Sequence, residues 1–409
     1  MFFTSIPALC IISFGHSPHT VPDIVIATAP IPVVLGKEFL YIGKSLFPVL
    51  LLFCTMKNFM IAIALLSGAL TINSQNMNTN TNVSLAPVEE LALAHEWDKV
   101  FPESDKVNHR KVTFVNRYGV TLAADMYIPK HVDGKLQAIA VSGPFGAVKE
   151  QSSGLYAQQL AERGFLTIAF DPSFTGESGG MPRRVASPDI NTEDFSAAVD
   201  FLSVQPDVDA DRIGILGICG WGGIALQAAV NDPRIKATVA STMYDMTRVT
   251  ANGYFDSENN AAQRNAKRAA MSAQRTLDYK NGTYKRAGGV VDPLPADAPQ
   301  FVKDYHAYYK TPRGFHPRSG NSTDGWNATS SLPFMNFKFF EYAEELESAV
   351  LIVHGDKAHS YYFGKDTFAL LKGDNKQMLT VNDATHCDLY DNLDKIPFDE
   401  IAAFYNKYL

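Results

Sequence analysis

The sequence predicts an α/β fold, a mostly parallel central sheet flanked by helices, with a largely helical insertion over the sheet. Three observations carry this. Continuous apolar runs of strand length, at residues 138–141, 165–170 and 237–241, alternate with helical stretches, and strands buried on both faces belong to parallel sheets covered by helices. The run 213–216 passes through Gly217-Ile218-Cys219-Gly220-Trp221-Gly222-Gly223, a strand turning sharply into a helix. Finally, residues 246–346 intervene between two strands where a connection of about 2–6 residues is usual.

From the N-terminus, residues 1–55 read as translation from an upstream start codon. Met56-Lys57-Asn58, the apolar run 59–70 and Thr71-Ile72-Asn73-Ser74 have the charged, hydrophobic and small-residue parts of a secretory signal, with cleavage near Ser74 and Gln75. The run is too short to span a bilayer. A competing reading fuses 46–53 with 59–70 into a membrane anchor, but Lys57 and Asn58 interrupt it and Pro48 weakens it. The expectation is an exported, periplasmic protein with no stable membrane insertion after cleavage.

Residues 75–107 read as an Asn/Thr linker and a short helical lead-in. The catalytic domain then spans 108–409. Residues 111–115 and 121–128 alternate apolar and polar across Arg117-Tyr118-Gly119 as a hairpin. Strand 138–141 precedes helix 156–163, which stops at Gly164. Strand 165–170, helix 194–202, strand 213–216 and helix 224–230 follow, the last ended by Asp232-Pro233. Strands 237–241, 349–353 and 378–381 and helix 401–408 complete the domain. The insertion holds an Ala/Arg-rich helix near 260–277 and the aromatics Tyr305, Tyr308, Tyr309, Phe315, Trp326, Phe334 and Phe337. It reads as a cap over the active site; the plainer alternative is an insertion burying its own aromatics.

The 409 residues are 46% hydrophobic and 19% charged, with net charge -7. The longest basic cluster, 263–275, is interleaved with alanines at helical spacing and reads as a solvated helix face, so nucleic acid is not an expected partner. Without residues 1–74 the net charge is -8, from 33 basic and 41 acidic side chains. Cys10 and Cys54 also go, and an exported protein left with Cys219 and Cys387 is no disulfide scaffold.

The chemistry centres on Cys219, presented at the apex of the strand-to-helix turn as in a nucleophile elbow. Gly217 and Gly220 remove Cβ atoms that so tight a turn would bring together. A thiol nucleophile needs a base and a group to orient it. His386, just after the last strand, is the base. Asp356, 30 residues earlier, is the first candidate for the acid and Asp245 the second. A thiol starts near pKa 8.5, so it tolerates a weakly oriented base. The oxyanion hole needs two N–H donors. Gly220 supplies one, and Phe145 the other, because Pro144 in Ser142-Gly143-Pro144-Phe145-Gly146 has none; Gly146 is the reserve. No metal and no cofactor are expected. His354 and His359 read as loop residues and not as a ligand pair. Cys387 reads as a small buried hydrophobe, with a regulatory disulfide to Cys219 as the alternative.

The elbow, the 143–151 loop, Asp171-Pro172-Ser173-Phe174-Thr175-Gly176-Glu177-Ser178 and the histidine loop 383–391 together resemble the α/β-hydrolase superfamily. The cysteine makes the chain similar to dienelactone hydrolases and a group of dienelactone-hydrolase-like bacterial proteins, over residues 108–409. That resemblance implies a Cys-Asp-His triad on Cys219, Asp356 and His386. Three positions depart from it. Trp221 stands where a small residue is usual, Ala358 occupies the expected acid position, and the cap exceeds that of a minimal dienelactone hydrolase. The expected activity is hydrolysis of small-molecule carboxylic esters, lactones or thioesters through an acyl-enzyme. The alternatives are an acyltransferase or peptidase on the same scaffold, or a non-catalytic ligand-binding relative.

Overall fold

The computed structural model describes residues 84, 86–131 and 134–409, and two short antiparallel strands, Pro32–Leu35 and Glu38–Tyr41, that belong to a separate unit. Those strands apart, the expected upstream extension, signal peptide and Asn/Thr linker lie outside the described residues. Among the described residues no helix is long and apolar enough to cross a membrane.

Eight strands form the sheet: β1 (Val107–Val115), β2 (Thr121–Pro129), β3 (Leu136–Ser142), β4 (Leu166–Phe170), β5 (Val208–Ile218), β6 (Ile235–Ser241), β7 (Ala349–Gly355) and β8 (Lys376–Val381). Their spatial order is β8-β7-β6-β5-β3-β4-β2-β1. β2 runs antiparallel to both β1 and β4, and every other pair is parallel. This is an α/β-hydrolase fold. The period of two divides each strand between two cores: Ala138 and Ala140 face one, Ile139 and Val141 the other. The first core is filled by helices α2 (Pro188–Ser203) and α3 (Gly220–Asn231), through Phe195, Val199, Ile224 and Ala228. The second takes α1 (Ser152–Ala161) and the C-terminal helix, through Tyr156, Leu160, Phe404 and Tyr405. Ser187 starts α2 by accepting the Ile190 N–H, with Pro188 in the first turn where its missing N–H is harmless.

Between β6 and β7 lie α4 (Met246–Asn252), α5 (Ala261–Asn281) and α6 (Gln300–Tyr309), joined by irregular segments that the bridges Arg286↔Asn327 and Gly288↔Gly325 tie together. On α5 the only buried residue is Asp278, as a solvated face requires. After β7 come α7 (Tyr361–Leu370), the single turn α8 (Asp388–Asp391) and α9 (Phe398–Tyr408).

The lead-in corrects the sequence reading. No helix forms between residues 86 and 106. Its backbone is used by the domain instead: Ala94 N–H donates to Glu177 Oε1 at 2.6 Å and Val100 N–H to the Glu150 carbonyl at 3.0 Å. Buried Lys99 reaches Asp125 at 3.2 Å. Long-range partners for backbone and charge outcompete a short helix, whose nucleation is unfavourable.

Candidate active site

Cys219 sits at φ 58° and ψ -125° at the start of α3. A side chain in this left-handed region is strained, so the surroundings must hold it there. Its N–H donates to the Ser241 carbonyl on β6 at 2.9 Å, and its carbonyl accepts from Gly222 at 3.0 Å and Tyr244 at 2.9 Å. A Cβ on Gly217 would collide with the Trp221 carbonyl, and one on Gly223 with that of Tyr244. These glycines let the turn close although Trp221 follows it so soon. The indole points away from the site into the core, 5.8 Å from the Phe195 ring and 6.2 Å from Phe170.

Two backbone donors converge on the thiol. The backbone amides of Phe145 and Gly220 both favour the Cys219 thiolate against its burial, the effect of N–H groups turned toward the sulfur. The cap holds the Phe145 loop in this posture. Asn321 Nδ2 donates to the Phe145 carbonyl at 2.8 Å, while the Asn321 N–H and Ser319 Oγ both reach the Gly146 carbonyl at 3.0 Å. Gly146 has φ +92°, and a Cβ there would strike the Asn321 side chain. The Phe145 ring packs 4.6 Å from Trp326 and 5.8 Å from Phe334, so these two aromatics belong to the support of the loop.

Beneath the loop lies a buried ion network that single-sequence reading missed. The Lys149 ammonium, fully enclosed, meets Glu150 at 2.6 Å, Asp171 at 2.7 Å and Glu177 at 2.6 Å. Lys111 and Arg318 add contacts to Glu150 at 3.3 and 2.8 Å. Three carboxylates within ligand distance of one another have the makings of a cation site, and Lys149 supplies the cation. Burial opposes charge here, yet Lys149 with Arg318 and Lys111 holds Glu150 well below the usual carboxylate range. The network joins the lead-in, β1, β2, the Phe145 loop, the loop after β4 and the cap.

His386 is brought to the elbow by the turn after β8. Thr385 and Asp388 cap one another there: Thr385 N–H and Oγ1 reach Asp388 Oδ2 at 2.7 and 2.8 Å, and Asp388 N–H reaches Thr385 Oγ1 at 3.3 Å. Tyr156 from α1 donates to the Leu389 carbonyl at 2.7 Å, and Arg313 from the cap to that of Cys387 at 3.0 Å. His386 and Tyr390 therefore stand one turn apart. The Tyr390 hydroxyl lies 3.0 Å from His386 Nε2, and its polarity also pulls the Cys219 thiol down against its burial. On the other side of the ring, Nδ1 meets Ser360 Oγ at 2.6 Å and Thr242 Oγ1 at 2.9 Å.

Neither expected acid reaches the histidine. Asp356 is exposed, and its Oδ1 accepts the Asp383 N–H at 2.7 Å, clamping a turn whose Asp383 sits at φ 53°. Asp245 caps α4, accepting from Thr247 N–H at 2.9 Å, Thr247 Oγ1 at 2.6 Å and Arg248 N–H at 3.0 Å. Each carboxylate is engaged by backbone that would otherwise lack a partner. Two hydroxyls stand in the acid's place. Thr242 is a β-branched residue at φ 44°, and such an outlier touching a catalytic candidate marks a built position. Ser360 lies two residues beyond Ala358, the position where the resemblance implies an acid.

The electrostatics follow from burial. Desolvation pushes the Cys219 thiol up, against the pull of the Tyr390 hydroxyl and the two N–H donors. This reverses the sequence-based argument that the thiol ionises readily. Burial, then the neighbouring His359 and His354, pushes His386 well below the ordinary imidazole value. His354 is not a loop residue but lies buried on β7, while His359 is half-buried in the turn that follows; burial lowers both to about 4. His359 bonds to the Tyr244 hydroxyl, stacks on Phe301 at 4.4 Å and lies 5.2 Å from the His386 ring. Cys219 and Cys387 are free thiols, and Cys387 is buried in the core.

A family model described as X-Pro dipeptidyl-peptidase (S15 family) matches residues 118–388, from the β1–β2 turn to the histidine loop. The chain belongs to the S15 family. The uncharacterized protein PA2218 of Pseudomonas aeruginosa is 54% identical over 347 residues, 84% of this chain and 90% of that protein. Its crystal structure superposes with a TM-score of 0.76 at 55% identity, covering 78% of this chain and 100% of that one. The uncharacterized protein YcjY of Escherichia coli is 36% identical over 296 residues, 69% of this chain and 93% of its own. Thiohydrolase aneE of Aspergillus aculeatus is 30% identical over 138 residues, 34% of this chain and 42% of its own. The S15 scaffold is of hydrolase type.

Proposed function

We propose that this S15-family protein is an exported hydrolase that cleaves esters, lactones or thioesters of small carboxylic acids through an acyl-enzyme on Cys219. The observation that carries the reading is Cys219 held at φ 58° on the strand-to-helix elbow, where the amides of Phe145 and Gly220 act on its thiol. A carbonyl attacked by that sulfur places its oxygen beside the same two donors, which is the requirement for stabilising an oxyanion. His386 is the base. The Met56 to Ser74 pattern supports export. The cysteine supports the likeness to dienelactone hydrolases, and the thiohydrolase relative supports a thioester among the substrates.

The family match favours a second reading, a peptidase that removes X-Pro dipeptides. Its leaving group is an amine, which must be protonated to depart, so it leans heavily on a stable imidazolium. With hydroxyls and no carboxylate at Nδ1, the imidazolium gains little support, and less basic leaving groups fit better. Turnover of a p-nitrophenyl ester and of an X-Pro p-nitroanilide, each by the wild type and by Cys219→Ala, separates the two. Ester turnover lost in Cys219→Ala supports the proposal. Anilide turnover exceeding ester turnover, or ester turnover retained by Cys219→Ala, contradicts it. Product formed only with an added alcohol or amine assigns an acyltransferase instead.

A further inference from the structure

The geometry points to Tyr390 as a further catalytic residue, whose hydroxyl relays the proton between the Cys219 sulfur and His386 Nε2. The inference rests on the reading of Cys219 as nucleophile. In the arrangement expected of such a pair the imidazole faces the nucleophile directly. Here Nε2 faces the phenol at 3.0 Å, and the same phenol is the side chain whose polarity acts on the Cys219 thiol. A hydroxyl carries one proton and two lone pairs, so it can donate to one neighbour only while accepting from the other. That leaves two arrangements: S–H···O–H···N, and S⁻···H–O···H–N⁺. They differ by the shift of two protons along one line and by nothing else.

The surroundings keep Tyr390 in this place. Its ring is packed at 5.1 Å from Tyr308, 6.2 Å from Tyr309 and 5.3 Å from His386, and it is fully enclosed. Burial drives the phenol well above its ordinary range, so it conducts a proton without resting as an anion. On the far side of the ring, Ser360 and Thr242 present oxygens to Nδ1 and hold the imidazole with Nε2 aimed at Tyr390.

The steps balance. As the sulfur attacks the acyl carbon, the S–H proton passes to Tyr390 Oη and the Tyr390 proton to His386 Nε2; the C–S bond forms and the carbonyl π pair moves onto oxygen beside Phe145 and Gly220. When that oxygen's pair returns, the bond to the leaving alkoxide or thiolate breaks. The leaving group takes the Tyr390 proton, and His386 restores it. Water then enters by the same route: its proton goes through Tyr390 to His386, the acyl C–S bond breaks, and the proton returns to sulfur.

The test uses the full chain and reads Cys219 directly, by iodoacetamide alkylation followed across pH with peptide mapping, alongside p-nitrophenyl ester turnover. Tyr390→Phe, His386→Ala and the double variant form a cycle. A relay predicts that either single change slows Cys219 alkylation at neutral pH and moves its pH midpoint upward, and that the double change adds nothing further. Ester turnover by Tyr390→Phe is expected to fall by about 10²–10⁴-fold, the usual contribution of acid–base catalysis. Wild-type alkylation in Tyr390→Phe, or losses that multiply in the double variant, overturns the relay and leaves the nucleophile standing. Failure to trap any acyl group on Cys219 in the wild type removes the nucleophile itself. Should Tyr390→Phe not fold, 3-fluorotyrosine at 390 keeps the packing and makes the phenol more acidic. A shifted alkylation profile then supports the relay, and an unchanged one overturns it.

Discussion

Two buried polar centres of the domain are built on opposite plans. The network under the Phe145 loop is dense with formal charge: Lys149, Lys111, Lys99 and Arg318 interlock with Glu150, Asp171, Glu177, Asp125 and Asp98. The cluster around His386 is equally enclosed but rests on hydroxyls, a thiol and neutral imidazoles. Interlocked buried charges make rigid supports, because moving any one leaves another without its counter-charge. Neutral hydrogen-bond chains keep their protons free to shift. The comparison teaches that rigidity belongs to the loop that donates N–H groups, while mobility of the proton is reserved for the groups that do chemistry.

The largest effect is expected where the charged plan is broken. Lys149→Met leaves buried carboxylates without their cation and is expected to destabilise the fold by about 3–5 kcal/mol, read by urea unfolding. A loss below 1 kcal/mol would mean that water or another cation reaches the site. The neutral plan is broken more gently. Ser360→Ala and Thr242→Ala each remove one partner of Nδ1 and are expected to lower kcat about threefold to tenfold with KM nearly unchanged, the worth of one hydrogen bond of about 0.5–1.5 kcal/mol.

Acid sharpens the contrast. His354 and His359 hold protons only below about 4 when folded, whereas an unfolded imidazole takes one up near 6.5, and His386 is depressed in the same direction. Between those limits the unfolded chain binds more protons, so stability falls as pH drops from about 6.5 to about 4. Melting temperature recorded across that window should decline, less steeply in His359→Gln. A flat profile would contradict the buried neutral histidines. The smallest effect belongs to Asp356→Asn, which keeps a side-chain oxygen for the Asp383 N–H: turnover is expected within about twofold of wild type and stability within about 1 kcal/mol. A hundredfold loss of turnover would restore Asp356 as the acid.

The residues made legible in the sequence are those whose constraint is local. Apolar runs such as 138–141 announce buried strands, the glycines around Cys219 announce the turn, and the missing N–H of Pro144 singles out Phe145. The four-residue spacing from His386, in the turn before α8, to Tyr390 on α8 is a signal of the same kind. Thr242 and Ser360 could not be read, because hydroxyl residues are common and the φ of 44° that aims Thr242 has no trace in composition. The ion network was invisible for another reason: its members come from segments between residues 98 and 318 that only the fold assembles. The same assembly converts Asp356 and Asp245 from acid candidates into clamps for backbone.

The nucleophile is tested most directly by mixing the protein with a p-nitrophenyl ester, quenching in acid within the first turnovers and locating the acyl group by peptide mass spectrometry. The account predicts the acyl mass on Cys219, absent from Cys387 and lost entirely in Cys219→Ala. Turnover that proceeds with Cys219 unmodified, or an acyl group on any other side chain, would contradict it.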